Sequence, residues 1–421
     1  MTESVDNRPS ILLVSFWYPP ETGAASTRLE ALTTRWVDRG HDVTVLTTTP
    51  DSPNGEIHEG YNNEWIHREV HDGVEVITTK SLPSSSSDHL FRRALKYLWF
   101  TVFATLVGVL WLDRREVVLS SSPQPFAGLT GLAIARLQCV PFVFEVRDLW
   151  PESLVAMGEV NNPIVIKTLD VMTEFLYTRA DRVSVVAPGM EHVVVEGGAD
   201  SDDVWLHSNG IDHEFFNTES TSLVDEADFF ENHFVLSYVG TIGKAQGLEV
   251  VLDVAKKLQN LEGYEDVRFV FIGFGSQYDD LAASAEERGL DNLVFLGRRP
   301  MAEVPAYLAA SDAAFVHTAG RSAFETMIPM KFYEALGAGL PVVLGAQGDA
   351  VQILECADAG IAVEPGDADA IIQAVRALYD DSDRRRELAE NGRQYVVDNH
   401  SWDAIAESYG AALEELEKSC K

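Results

Sequence analysis

Short apolar runs alternate with stretches of helical periodicity along the whole chain. A short apolar run followed by a helical stretch is typical of a βαβ unit, because parallel strands are covered by helices on both faces. The first series of predicted strands is Ile11 to Phe16, Val43 to Thr47, Val117 to Ser120, Phe142 to Val146, Val183 to Ala187 and Val204 to His207.

A polar, acidic passage from Glu219 to Glu231 interrupts this rhythm and is interpreted as a linker. The second series of strands is Phe234 to Val239, Phe269 to Ile272, Leu293 to Leu296, Ala313 to Val316, Val342 to Leu344 and Ile361 to Val363. The pattern therefore predicts an α/β fold of two doubly wound Rossmann-like domains that face a cleft, with boundaries at 1–212 and 213–401. The last helix, within 402–421, is predicted to return to the first domain.

The segment from Tyr97 to Leu112 departs from this soluble pattern, since it carries no charge and has Trp99 and Trp111 near its ends. Bases flank it in a chain otherwise poor in them: Arg92, Arg93, Lys96, Arg114 and Arg115. Three interpretations stay open at this point: a buried crossover helix, an interfacial helix on anionic lipid, and a membrane span, for which sixteen residues fall short of the ~20 required.

The charge balance excludes one class of partner. With 66 acidic against 32 basic side chains and a formal charge of −34, the chain would repel nucleic acid. So large an acidic excess points to a halophile, because molar salt shortens the Debye length to ~3 Å and removes the self-repulsion between acidic side chains.

The three cysteines are far apart in the sequence and indicate neither disulfides nor a zinc site. The polar residues before Ile11 leave no room for the apolar core of a signal peptide. A cytoplasmic location is therefore expected.

The segment between Ile328 and Val343 is the most informative candidate for a functional site, because a predicted helix start there carries one base and one acid. Lys331 and Glu334 are three residues apart and so share one helical face. A helix start at the carboxyl end of a parallel strand favours bound phosphate, and a carboxylate there accepts both hydroxyls of a ribose. The arrangement indicates a nucleotide-sugar site.

Glycine loops follow several predicted strands. Small residues at such loops let the backbone approach a diphosphate, and Lys244 would neutralise the charge that grows on the leaving group. Gly23, after the first strand, lies in a loop that could approach the diphosphate or the acceptor. Gly240, Gly243 and Gly247 lie in the loop that opens the second domain and are predicted to approach the diphosphate.

The block Glu334-Ala-Leu-Gly-Ala-Gly-Leu-Pro-Val-Val resembles the donor-binding signature of retaining family-4 glycosyltransferases, and the resemblance covers nearly the whole chain. It implies a GT-B fold, a nucleotide diphosphate sugar as donor, retention of configuration, and Glu334 as the residue that holds the ribose. Gly273 and Gly275, after a later strand, resemble the loops that approach the nucleotide in this family. The motif from Arg147-Asp148 to Ser153 looks like the branch that moves amino sugars and deoxysugars in surface-polysaccharide assembly.

Three departures from the family pattern bear on mechanism. Relatives often carry His-Asp where this chain has Arg147-Asp148, which are kept as candidate catalytic residues. Many carry an arginine and a lysine where Thr241 and Gln246 stand, and a first glutamate where Thr326 stands. Glu325, beside Thr326, is the candidate replacement for that glutamate.

Metal ligation is not predicted, because the acidic pairs at Asp367 and Asp381 lie at predicted helix starts, where capping explains them. The sequence is therefore interpreted as a glycosyltransferase without a cofactor, acting on a polyprenyl-linked acceptor at the cytoplasmic membrane face in surface glycan or glycoprotein glycan assembly. Two alternatives stay open: a sugar-nucleotide 2-epimerase of the same fold, and a catalytically silent partner subunit.

Overall fold

The computed structural model describes residues 8–51, 55–84, 90–212 and 226–420. The chain divides into two compact units, one of residues 1–155, 160–209 and 402–421, and the other of residues 156–159 and 210–401. Each unit is built on one mainly parallel sheet, which confirms the predicted fold class of two Rossmann-like α/β domains.

The first unit has an eight-stranded sheet in the order β3-β4-β2-β1-β5-β6-β7-β8. Its central strands are fully buried because helices cover both faces of the sheet. The strands are β1 Ile11–Val14, β2 Val43–Thr48, β3 Ile66–His71, β4 Val74–Thr79, β5 Val117–Ser121, β6 Phe142–Val146, β7 Arg182–Val185 and β8 Val204–Leu206.

Seven α-helices of this unit are α1 Ala24–Asp38, α2 Leu90–Leu110, α3 Pro125–Gln138, α4 Glu152–Ala156, α5 Pro163–Arg179, α6 Pro188–Glu196 and the C-terminal helix Trp402–Cys420. The C-terminal helix packs on α1, where the Trp36 indole donates to the carbonyl of Ala406 at 3.0 Å. The start of α3 is determined by local sequence. Pro125 is the first helical residue, and the Gln124 side chain accepts a hydrogen bond from the Ala127 amide.

The antiparallel hairpin of β3 and β4 was missed by the sequence analysis. Its turn is Asp72-Gly73, and both residues have positive φ, 49° and 79°. Asp-Gly is the residue pair that such a two-residue turn requires, so the signal was present in the sequence.

The predicted segment Tyr97 to Leu112 belongs to α2, which begins earlier, at Leu90. One face of α2 is buried in the first unit, through Tyr97, Phe100, Ala104 and Val107. The interpretation of two flanking bases as contacts to lipid is also corrected. Lys96 forms an ion pair with Asp51 inside the unit. Arg115 likewise pairs with Asp42 and Glu75, so neither base is free for lipid.

The second unit has a six-stranded parallel sheet in the order β11-β10-β9-β12-β13-β14. Its strands are β9 Phe234–Val239, β10 Val267–Ile272, β11 Leu293–Gly297, β12 Ala313–His317, β13 Val342–Gly345 and β14 Gly360–Val363. Its α-helices are Ala227–Glu231, Val250–Leu258, Tyr278–Glu287, Val304–Ala309, Met330–Gly337, Asp349–Ala357, Ala368–Asp380 and Ser382–Asn399.

The predicted linker from Glu219 to Glu231 is wrong at its C-terminal end. Ala227–Glu231 is a short helix whose Phe230 is buried against the second sheet, and Glu226 pairs with Arg299 at 2.8 Å. Residues 219–225 lie outside the described residues.

Candidate active site

The order of the second sheet creates a crevice between β9 and β12. The chain runs from β9 outward through β10 to β11, and then crosses to the other side of β9 to form β12. In open α/β sheets, ligands bind at the carboxyl ends of the strands where the direction of winding changes. The loops after β9, β10 and β12 therefore define the candidate site of this unit.

The loops after β9 and β10 pack directly on each other. Gly240 has φ 124° and Gly273 has φ 143°, which favour glycine. A Cβ on Gly273 would lie 1.9 Å from the carbonyl oxygen of Gly240, so no side chain fits there. Both glycines are required for this close approach.

Lys244 opens a short 3₁₀ turn, Lys244–Gln246, in the loop after β9. Its side chain is exposed, and no described residue pairs with its ammonium group. Gly243 and Gly247 flank the turn, and the Gly243 amide donates to the Gln246 side chain at 3.1 Å. The turn thus presents a free cation from a rigid backbone.

His317, at the end of β12, holds this turn in place and was not predicted. Its Nδ1 lies 2.6 Å from the carbonyl oxygen of Gln246, and its Nε2 accepts from the Gly366 amide at 3.1 Å. These partners require a neutral ring with the proton on Nδ1. Burial lowers the pKa of His317, which favours the same neutral form.

Lys331 and Glu334 lie on helix Met330–Gly337 and line a small cleft beside Ser237 and Val316. Burial lowers the pKa of Lys331 to about 7, and the nearby carboxylate only partly offsets it. Burial likewise raises the pKa of Glu334 to about 7. Each group is therefore poised between its charged and neutral forms near neutral pH.

Tyr238, another residue to which the sequence analysis gave no role, connects Lys331 to the glycine loop. The Lys331 ammonium donates to the Tyr238 hydroxyl, which donates in turn to the carbonyl of Thr241. The ammonium also lies 3.8 Å from the centre of the tyrosine ring. Lys331 is thus held by neutral partners and does not form an ion pair with Glu334.

Glu325 lies in the loop between β12 and this helix, and its side chain is exposed. Its backbone carbonyl accepts from the Asp349 amide at 2.8 Å. A Cβ on Gly348 would lie 2.0 Å from that carbonyl, so the loop is closely packed there. The backbone of Glu325 is fixed while its carboxylate faces solvent.

The remaining predicted residues lie in the first unit. Arg147 is turned inward and donates to the carbonyls of Ser122 at 3.1 Å and Ala25 at 3.0 Å. It therefore ties the end of β5 to the start of α1, next to Gly23. Burial raises the pKa of Asp148 to about 6, and Ser153 donates to its carboxylate at 3.0 Å.

The structure thus gathers eight predicted residues at one edge of the second sheet: Gly240, Gly243, Lys244, Gly247, Gly273, Gly275, Lys331 and Glu334. Gly23, Arg147 and Asp148 gather in the first unit. Across the described ranges, no group of three or more His, Cys, Asp or Glu side chains could hold a metal ion. The aspartates at 367 and 381 instead cap helices, accepting from the amides of Ala370 and Arg384.

Two family models match the chain in tandem. The glycosyl transferase 4-like domain matches residues 23–210, and the model of glycosyl transferases group 1 matches residues 221–395.

Individual proteins resemble the chain over most of its length. It is 25% identical to the colanic acid biosynthesis glycosyl transferase WcaI of Escherichia coli K12, over 87% of this chain and 91% of the relative. It is 24% identical to a GDP-mannose-dependent phosphatidylinositol monomannoside mannosyltransferase of Mycolicibacterium smegmatis, over 96% and 97%. The structure of Anabaena HepE in complex with UDP-glucose aligns with a TM-score of 0.70 at 16% identity, covering 97% of this chain and all of the other.

Proposed function

This chain is a glycosyltransferase with a glycosyl transferase 4-like domain followed by a group 1 domain, and on that premise we propose that its second unit binds a nucleoside diphosphate sugar at the β9–β12 crevice. The observation that carries the proposal is the placement of Lys331 and Glu334 beside the glycine loop of Lys244. An acid, two bases and freed backbone amides at one sheet edge match a donor made of a ribose and a diphosphate.

Each group has one role in this proposal. The Glu334 carboxylate accepts the two ribose hydroxyls, and Lys331 and Lys244 face the diphosphate. The cleft beside Lys331 and Glu334 holds little more than one water molecule, so the donor lies across its mouth. Because no residue in the described part of the chain pairs with Lys244, its full charge is available to the leaving diphosphate.

The transfer itself is proposed to retain anomeric configuration without a metal ion, through an oxocarbenium-like transition state. Glu325 faces the donor sugar in this proposal, and Asp148 is the ionisable group nearest the acceptor. Arg147 positions the Gly23 loop through its bond to Ala25. An amino sugar or deoxysugar is the proposed cargo, on the basis of the motif that starts at Arg147.

The acceptor is proposed to be polyprenyl-linked, with the enzyme peripheral on the cytoplasmic face of the membrane. Two relatives support this: one is named for the biosynthesis of a surface polysaccharide, and the other for acting on a phosphatidylinositol mannoside. The product would enter a surface glycan or a glycoprotein glycan.

A thermal-shift screen of nucleoside diphosphate sugars tests the donor site, because a ligand that binds only the folded state raises its stability. Binding at 100 times the dissociation constant should add about 2.7 kcal/mol. Running the screen in molar potassium chloride and in dilute buffer also tests the halophile proposal, since the acidic chain should unfold partly without salt.

Product analysis with the stabilising donor alone separates the alternatives. A transferase leaves the free donor largely intact, whereas a 2-epimerase converts it. A protein that binds no nucleotide sugar in either salt would be the silent partner subunit, and the proposal would be wrong.

A further inference from the structure

The outward faces of α2, α3 and α5 form one side of the first unit. The Gln138 side chain at the end of α3 donates to the carbonyl of Gly108 on α2 at 2.9 Å. On its other flank, Arg136 of α3 donates to the carbonyl of Arg179 at the end of α5 at 2.5 Å. The three helices therefore lie side by side on the sheet, and we call their outward side the helical face.

The helical face is apolar where a soluble protein is normally polar. Of the sixteen large hydrophobic side chains that are exposed in the described part of the chain, ten lie here. Those on α2 recur every three or four residues and are 48% to 70% exposed: Leu95, Leu98, Val102, Leu106 and Leu110. Trp111, directly after α2, is 71% exposed. Leu137 on α3 and Ile164, Val171 and Phe175 on α5 continue the patch.

The opposite side of α2 shows that this helix does not leave the unit. By length and composition alone, Arg92–Leu110 is the one described helix apolar enough to cross a membrane, with a mean hydropathy of 1.4. Its inner side, however, contains Phe100 at 2% exposure, and Lys96 is paired with Asp51 within the unit. Crossing a bilayer would break this ion pair and expose the core of the sheet.

The charge of the helical face is opposite to that of the chain. Its three helices carry five solvent-accessible bases, Arg92, Arg93, Arg136, Lys167 and Arg179, against the acids Asp170 and Glu174. The whole chain has twice as many acidic as basic side chains, 66 against 32. A base-rich apolar surface on so acidic a protein is complementary to an anionic, amphipathic partner.

We propose that the helical face docks on an anionic lipid bilayer, with its leucine, valine and phenylalanine side chains below the head groups and its bases among them. Trp111 lies at one end of the patch, and tryptophan prefers the depth of the membrane interface. A second copy of this chain is disfavoured, since a two-fold contact would bring the same bases together. This inference rests on the peripheral membrane location in the proposed function and assigns it to one surface. Flotation requires no donor, so docking can fail while the thermal-shift screen still confirms the donor site.

Vesicle flotation of the full chain tests the proposal, with phosphatidylglycerol vesicles compared with phosphatidylcholine vesicles. The wild type should float with the anionic vesicles, more strongly in moderate salt, where it stays folded, than in molar salt. Leu98→Gln, Val102→Gln and Leu106→Gln together should reduce flotation at least tenfold, because they remove exposed apolar side chains. Glutamine preserves helix propensity, so the melting temperature should be unchanged.

The matched control replaces exposed apolar residues away from the helical face, with Val70→Gln, Leu206→Gln and Met301→Gln together. It should float like the wild type. If the α2 variant fails to fold, Arg92→Gln, Arg93→Gln and Lys167→Gln together should weaken flotation in moderate salt and leave it unchanged in molar salt.

Three results would overturn the proposal. The wild type could fail to float in either salt, or the folded α2 variant could float like the wild type. Alternatively, light scattering could show a dimer that only the α2 variant abolishes, in which case a second copy covers this face.

Discussion

The carboxyl edges of the two sheets handle charge in opposite ways. At the edge of the first sheet, Arg28 and Glu145 lie 2.8 Å apart with no exposed side-chain surface, and Arg28 also donates to the carbonyl of Ser208 at 2.6 Å. At the edge of the second sheet, Lys331 is held by a tyrosine hydroxyl, and Glu334 does not pair with it.

The pKa values follow this difference. Burial alone would raise the pKa of Glu145, but the charge and hydrogen bonds of Arg28 hold it below its usual range. At Glu334 the charge of Lys331 offsets burial only in part, and the pKa is raised to about 7. The buried charges of the first edge are paired with each other, whereas Lys331 and Glu334 at the second edge form no ion pair.

The largest expected effect comes from disrupting the ion pair of Arg28 and Glu145 at the edge of the first sheet. Arg28→Met leaves Glu145 buried without its partner, which should cost about 3 to 5 kcal/mol of unfolding free energy, measured by chemical denaturation. Arg28→Met combined with Glu145→Met should recover much of the loss, because both charges are then gone.

The control is Arg35→Met, which removes a base whose partner Asp403 is 69% exposed at 3.2 Å. It should cost less than about 1 kcal/mol. Equal losses from Arg28→Met and Arg35→Met would contradict the view that the buried pair is structural.

At the edge of the second sheet, substitution of Glu334 should weaken donor binding and leave stability undiminished. Glu334→Gln removes a charged acceptor and should weaken donor binding by about 2 kcal/mol, measured by calorimetry. Stability should not fall, because a group with a raised folded pKa stabilises the fold below its unfolded pKa and loses that contribution as the pH rises through about 7. Above neutral pH the neutral glutamine should be as stable as wild type or more so.

Glu286→Gln, an exposed carboxylate on helix Tyr278–Glu287, is the matched control and should change neither property. A folded Glu334→Gln variant with unchanged donor affinity would remove Glu334 from the site.

The sequence predicted the fold class because periodicity is local. Apolar runs of strand length appear wherever helices bury a strand on both faces, as at Val117–Ser121 and Phe142–Val146. The hairpin at Asp72 was predictable from its turn, but it does not share the parallel rhythm and was overlooked.

Pairings between distant residues were not predictable. Lys96 would face lipid under one of the three interpretations left open by the sequence, yet its partner Asp51 lies 45 residues earlier in the chain. Tyr238 and His317 act on residues 93 and 71 positions away, respectively. A residue in a predicted strand is ordinarily interpreted as part of the core. The roles of Tyr238 and His317 depend on contacts that form only in the folded sheet.

The smallest expected effect concerns pH, and it tests whether the second edge is poised for a ligand. In the proposed site, donor binding uses the ionised Glu334 and the protonated Lys331. As the pH falls through about 7, Glu334 gains a proton and ceases to accept, and as it rises through about 7, Lys331 loses one and no longer attracts phosphate. Affinity should therefore peak near neutrality.

The fall in affinity on the acid side of this pH profile, its acid limb, is due to Glu334. The fall on the alkaline side, its alkaline limb, is due to Lys331, so a variant of each residue tests one side. Over about pH 5.5 to 8.5, calorimetry with an intact nucleoside diphosphate sugar should show affinity falling by up to about tenfold per unit on either side. Glu334→Gln should abolish the acid limb, and Lys331→Met the alkaline limb. Burial lowers the pKa of His317 away from this window, so loss of its bond to the Gly366 amide should not imitate the acid limb. A flat wild-type profile would mean that the charges at this edge are satisfied internally, as they are at Arg28 and Glu145.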